Sequence, residues 1–247
     1  MSNKFNNIGH CSSIEIKNDR LIKYIIEPKD DKLFNIKRQE CVNKKILNLK
    51  LHREIKINNI LDKIKFKYLK LPKFYSSNSG KITFDQNIFK NIYKSKHYKP
   101  NNINMYKLEY DYIKSDNLFD YFLKNGLKIK EDKIINNIPD NIMINVYSQI
   151  FTGLYEFIKN DIIPYDITNL SNFLFFKNNI YFIDYVGWHF ITSKEKTNTN
   201  DIFKWCVLNI FETINNNRLH TFKILCLHKN YLFILKKSFE MLIKHLI

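Results

Sequence analysis

The stretch from Phe157 to Tyr185 constrains this chain more than any other. Phe157-Ile158-Lys159 closes an apolar helix and runs into a short loop carrying an acid, Asp166, and an amide, Asn172. Two apolar runs follow, Phe173 to Phe176 and Ile180 to Ile183, which read as a strand pair. The far end of that pair presents a second acid, Asp184. A hairpin returns the chain to the end where it started, so both acids and the amide can face one cleft. Asp184 also ends a run of apolar residues, where an acid without a cation would be destabilising. A divalent metal supplies that compensation.

The rest of the chain supports a mixed architecture. Ser13 to Asp19 and Leu21 to Ile26 read as strands around the turn Asn18-Asp19-Arg20. Cys41 to Ile64 shows helical spacing, with Ile46, Leu49, Ile55, Ile57 and Ile60 as its apolar stripe. Leu69 to Tyr75, holding Pro72, reads as a loop leading to an edge strand. Ser76 to Asn104 is rich in Ser, Asn and Lys with weak periodicity, the pattern of an exposed excursion. Met105 to Ile113 alternates like a strand, and Asp116 to Phe122 opens a capped helix. Ile142 to Lys159, Asn200 to Ile214 and Phe222 to Ile247 are predicted helices. Strands come first and helices later, so the fold class is α+β.

Composition sets limits on function. With 247 residues and 45% hydrophobic content, the chain can bury a substantial core. Its formal charge of +16 suggests polyanion binding, but the chain lacks alanine and its arginines are Arg20, Arg38, Arg53 and Arg218. That bias, with abundant Lys, Asn, Ile, Phe and Tyr, is what an AT-rich coding sequence produces. Charge alone then gives salt-sensitive, non-specific RNA contact. Cys11, Cys41, Cys206 and Cys226 are far apart, signalling neither zinc nor a disulfide framework and fitting a reducing, intracellular compartment. No membrane span and no signal-peptide core are expected.

Taken in order, these residues resemble the eukaryotic-type protein kinase superfamily, with Asp166 and Asn172 as its catalytic loop and Asp184 as its metal-binding acid. The resemblance implies a bilobal kinase-like domain, its N-lobe about residues 1–112, with the excursion at about 76–104, and its C-lobe about 113–247. It implies ATP and Mg²⁺ as cofactors. It further implies Lys23, on a strand, on the α/β-phosphates and paired to the helical Glu54. Asp166 becomes the base, and Asn172 and Asp184 the metal ligands. Gly9 alone survives of the glycines that cover the phosphates in the family. Asp201 resembles the acid that opens the family's central C-lobe helix, a position that an N-cap would also explain.

Departures refine the expectation. The family places its asparagine five positions after the catalytic acid. Here Ser171 holds that position and Asn172 follows; the resemblance favours Asn172, because Asn172-Phe173-Leu174 enters the strand as N-I-L does in the family, leaving the loop one residue longer. The glycine after Asp184 comes one place late, in Asp184-Tyr185-Val186-Gly187. Tyr165 stands where the family has arginine, and only 201 − 184 = 17 positions separate Asp184 from Asp201, with no A-P-E motif between. The chain is thus similar to compact members, the small kinase of the KEOPS tRNA-modification complex and, as an alternative, the RIO kinases of ribosome maturation. These imply protein partners, and RNA, within an assembly. The competing reading is a pseudokinase kept as a nucleotide-binding or scaffold subunit. For an active enzyme, Lys23→Met is expected to abolish activity with little loss of folding stability.

Overall fold

The first hairpin turns on Asn18 and Asp19, both with left-handed backbone, at φ 49° and 57°. Two successive left-handed residues match the twist of the flanking strands, and Asn and Asp tolerate that conformation better than other side chains. The computed structural model describes residues 12–27, 54–82, 103–130, 133–164, 167, 169–184, 188–191, 198–212 and 221–246. Within these the fold is α+β, and the chain divides into two compact units. One comprises Met1–Ile64 and Pro72–Tyr112, the other Lys65–Leu71 and Ile113–Ile247.

The first unit holds a four-stranded antiparallel sheet. Strands β1 (Ser12–Lys17), β2 (Arg20–Glu27), β3 (Phe74–Ile82) and β4 (Ile103–Asp111) lie in the order β1-β2-β4-β3. β3 is an edge strand with a bulge between Phe74 and Ser76. Its course corrects the expected excursion: residues 76–82 pair with β4, because backbone bonds to an existing edge need no apolar alternation. Residues 83–102 lie outside the described set. Helix α1 is described over residues 54–61. Its buried positions are Glu54, Ile57, Asn58 and Leu61, whereas Ile55 and Ile60 are only half-buried, so the apolar stripe expected there is rotated.

The second unit is mostly helical. Strand β5 (Asp116–Asn117) leads into α2 (Leu118–Lys124), whose Asn117 side chain caps the N–H of Asp120 at 2.9 Å. A hairpin of β6 (Leu127–Lys130) and β7 (Lys133–Asn136) follows, then α3 (Asp140–Lys159). β8 (Ile162–Pro164) pairs with β11 (Trp188–Phe190). Between them β9 (Phe173–Phe176) and β10 (Asn179–Phe182) form the expected hairpin around Lys177 and Asn178, at φ 48° and 63°. Helix α4 spans Thr199–Glu212.

The last segment is two helices rather than one, α5 (Thr221–Cys226) and α6 (Tyr231–Leu246). The break has a polar cause. His228, 2% exposed, places Nε2 2.8 Å from the Ile138 carbonyl while Nδ1 accepts the Asn230 N–H at 3.1 Å. With Nδ1 accepting, the ring carries its proton on Nε2, and the helical bonding stops after the Leu227 N–H, which still reaches the Lys223 carbonyl at 3.0 Å.

Helix α3 is the spine of this unit. Eleven of its residues are buried, including Tyr147, Phe151 and Phe157. Phe151 stacks on Phe239 of α6 at 4.6 Å, and Phe157 meets Phe182 of β10 edge-on at 5.3 Å. Gly153 lets β10 approach: a Cβ there would stand 2.7 Å from the Phe182 ring and 2.9 Å from Leu69. Gln149 fixes the hairpin along the helix, accepting the Ile180 N–H at 2.8 Å and donating to the Asn178 carbonyl at 3.1 Å.

The segment Lys65–Leu71 packs on the same helix. The Glu156 carboxylate accepts the N–H groups of Lys67, Tyr68 and Leu69 at 2.8, 3.1 and 2.5 Å. Lys70 adds a parallel bridge to Tyr181 and accepts the Phe182 N–H at 3.1 Å.

Candidate functional site

Lys23 lies on β2, an interior strand, between Ile14 of β1 and Leu108 of β4. Its side chain is 14% exposed, and an ammonium so placed needs an anion. Glu54 of α1, 2% exposed, provides it: Nζ donates to Oε1 at 2.9 Å and to Oε2 at 3.0 Å. The pairing expected from the order of strand and helix is present in the structure. Two further residues join it that the sequence did not bring forward. The Tyr110 hydroxyl donates to Glu54 Oε1 at 3.1 Å, and Asn58 Nδ2 donates to the Tyr110 hydroxyl at 2.8 Å and to the Glu54 carbonyl at 3.0 Å. Signals for both exist in hindsight. Asn58 is one helical turn after Glu54, and Tyr110 is two places beyond Leu108, hence on the same face of the sheet.

In the second unit, a 3₁₀ turn over Leu170–Asn172 leads into β9. Asn172 is 9% exposed, and its carbonyl accepts the Ile183 N–H at 2.9 Å, extending the β9–β10 ladder by one bond. Asp184 is the next residue, so the hairpin brings Asn172 and Asp184 to one end. Asp184 is exposed and holds a left-handed backbone, φ 63°. Its exposure corrects the expectation of an acid closed in by apolar residues, and the left-handed backbone is one that Asp tolerates. Ser171 is otherwise engaged: its hydroxyl donates to Asn169 Oδ1 at 2.6 Å and its N–H to the same oxygen at 3.1 Å.

Gly9 and Asp166 lie outside the described residues, as does Tyr165. Ile167 is buried, and its carbonyl accepts the Thr221 hydroxyl at 3.4 Å. Asp201 is exposed in the first turn of α4, 3.9 Å from Lys204; the turn is capped by Asn198, whose Oδ1 accepts the Asn200 N–H at 2.9 Å. The first-turn acid is therefore not the N-cap. Cys206 and Cys226 are free thiols pushed up by burial, Cys206 to about 11, so neither is poised as a nucleophile.

Among the described residues no group of three or more His, Cys, Asp or Glu could hold a metal alone. Asn172 and Asp184 are nevertheless suited to Mg²⁺. Both offer oxygen, the donor that this ion requires, and Mg²⁺ commonly takes one or two protein ligands and completes its shell with phosphate and water. No helix of the described residues is long and apolar enough to cross a membrane.

No known protein family and no curated protein matches the chain. Among solved structures it is similar to the bifunctional kinase-methyltransferase WbdD, at 10% sequence identity and a TM-score of 0.46. The match covers 93% of this chain and 42% of that one.

Proposed function

We propose that this chain is an ATP-dependent phosphotransferase of a compact, kinase-like bilobal type. The observation that carries this reading is the buried ion pair of Lys23 and Glu54, with both carboxylate oxygens on one ammonium. A surface lysine has no reason to be fixed in this way. A lysine that must present a fixed charge to phosphate oxygens does. In this reading Lys23 steadies the α/β-phosphates and Glu54 holds it. Asn172 and Asp184 would hold Mg²⁺, which when bound neutralises charge on the phosphates. Asp166 takes the proton from the attacking hydroxyl or water.

The substrate reading follows from the short reach between Asp184 and Asp201 and from the charge of +16. We infer action inside an RNA-handling assembly rather than on free peptides.

The test is calorimetric titration of ATP with and without Mg²⁺ into the parent and Asp184→Asn, followed by single-turnover ATP consumption for Asp166→Asn. Loss of the Mg²⁺-dependent affinity in Asp184→Asn, and a rate lower by about 10²–10⁴ in Asp166→Asn, are expected. Unchanged affinity removes Asp184 from the metal site. Equal rates move the chain to the pseudokinase class.

A further inference from the structure

The Glu54 carboxylate receives only donors: Lys23 on both oxygens and Tyr110 on one. The direction of the Tyr110 bond is set by Asn58. One N–H of the Asn58 amide goes to the Glu54 carbonyl, which fixes which way the amide faces, since a flipped amide would oppose two carbonyl-type oxygens. The other N–H goes to the Tyr110 oxygen. That oxygen now accepts, so its own proton is directed onto Glu54 Oε1. Asn58 is 1% exposed and Tyr110 7%, with Ile57 and Leu108 fully buried beside them. No buried side-chain polar atom among the described residues lacks a partner.

We propose that Tyr110 and Asn58 are positioning residues that hold the Glu54 carboxylate in the one rotamer that fixes Lys23; the proposal rests on the phosphotransferase reading. Lysine and glutamate side chains have several freely rotating bonds each, and an ion pair alone leaves their mutual orientation loose. The tyrosine ring is rigid, and its hydroxyl is committed at both ends. The geometry of the ammonium is therefore set from the sheet and the helix together, through three hydrogen bonds in sequence. A merely structural role would need neither the hydroxyl nor the amide, because apolar residues of similar shape fill the same space without leaving a donor stranded.

The experiment compares the parent with Tyr110→Phe and with Tyr110→Phe/Asn58→Leu in the full chain. Three readouts are taken: melting temperature, the ¹H–¹⁵N cross-peak of the Lys23 ammonium, and Mg²⁺-ATP turnover. Tyr110→Phe alone leaves one buried Asn58 N–H without an acceptor, so its melting temperature falls. The double variant removes that donor and recovers most of the loss. The Lys23 cross-peak, sharp in the parent, broadens away in both variants, and kcat falls about tenfold or more in both while KM for ATP changes less, a barrier change of about 1.4 kcal/mol. A double variant that keeps the parent's cross-peak and turnover overturns the proposal. So does turnover that simply follows melting temperature across the three proteins, or a parent without the cross-peak. If the cross-peak is present in the parent and lost in the double variant, yet no protein turns over ATP, the positioning role stands and the phosphotransferase reading falls.

Discussion

At the scale of single residues, the consequence of burying Glu54 reaches beyond the site. From sequence, Lys23 pairs with Glu54, yet Lys23→Met is expected to cost little stability; the burial of Glu54 corrects that expectation. With Glu54 2% exposed, that substitution strands a carboxylate whose remaining side-chain donor among the described bonds is the Tyr110 hydroxyl. Removing one partner of a buried pair costs about 3–5 kcal/mol. We predict a loss of that order for Lys23→Met in urea unfolding, and recovery of much of it in Lys23→Met/Glu54→Leu, which removes both charges. An unchanged midpoint for the single variant would mean that Glu54 reaches water in solution. The residue types of the pair were legible in the sequence. Their supports were not: alternation along β4 counts a tyrosine as apolar, and the helical stripe had no place for Asn58. Both are polar groups facing inward, visible only once a partner stands opposite.

At the scale of elements, the hairpins were the most legible parts. Asn18-Asp19 has the chemistry that a two-residue turn demands, and Phe173 to Phe176 with Ile180 to Ile183 gave strands within a residue of their observed bounds. The helix α3 was equally clear from its period. Elements held by backbone bonds to distant partners were not legible. β3 forms from a Ser-rich run by adding to an edge, β11 pairs with β8 across a long separation, and the break before α6 depends on a histidine finding the Ile138 carbonyl. The segment Lys65–Leu71 belongs with these. It has no regular structure of its own and is held by the Glu156 carboxylate. Glu156→Gln presents an N–H₂ to a row of N–H groups, and we predict a loss of about 2–3 kcal/mol, in the range of hydrogen bonds to a charged group. Hydrogen exchange would show the amides of Lys67, Tyr68 and Leu69 losing protection first. If those amides exchange no faster than in the parent, the carboxylate is not what holds the segment.

At the scale of the whole molecule, charge is the dominant property. Forty Lys and Arg face twenty-four Asp and Glu. Any polyanion will therefore be attracted, and the attraction will fall steeply with added salt, since it is driven by released counterions. We predict that affinity for unrelated RNA and for double-stranded DNA falls in parallel as salt rises, measured by fluorescence anisotropy. An RNA whose binding survives physiological salt when the others have dissociated would identify a built surface and set aside the purely compositional account of the lysines.

The route of the backbone has a further implication. The chain leaves the first unit after Ile64, supplies Lys65–Leu71 to the second, returns at Pro72 and leaves again after Tyr112. Three crossings mean that no single cut yields two whole parts. A fragment starting at Ile113 would carry the Gly153 notch without Leu69, the β10 edge without Lys70, and a Glu156 carboxylate with no amides to receive. The boundary that looks natural in the linear sequence would thus sever a piece of the second unit's own core. A seven-residue peptide, Lys65–Leu71, is what a severed half would need to be whole.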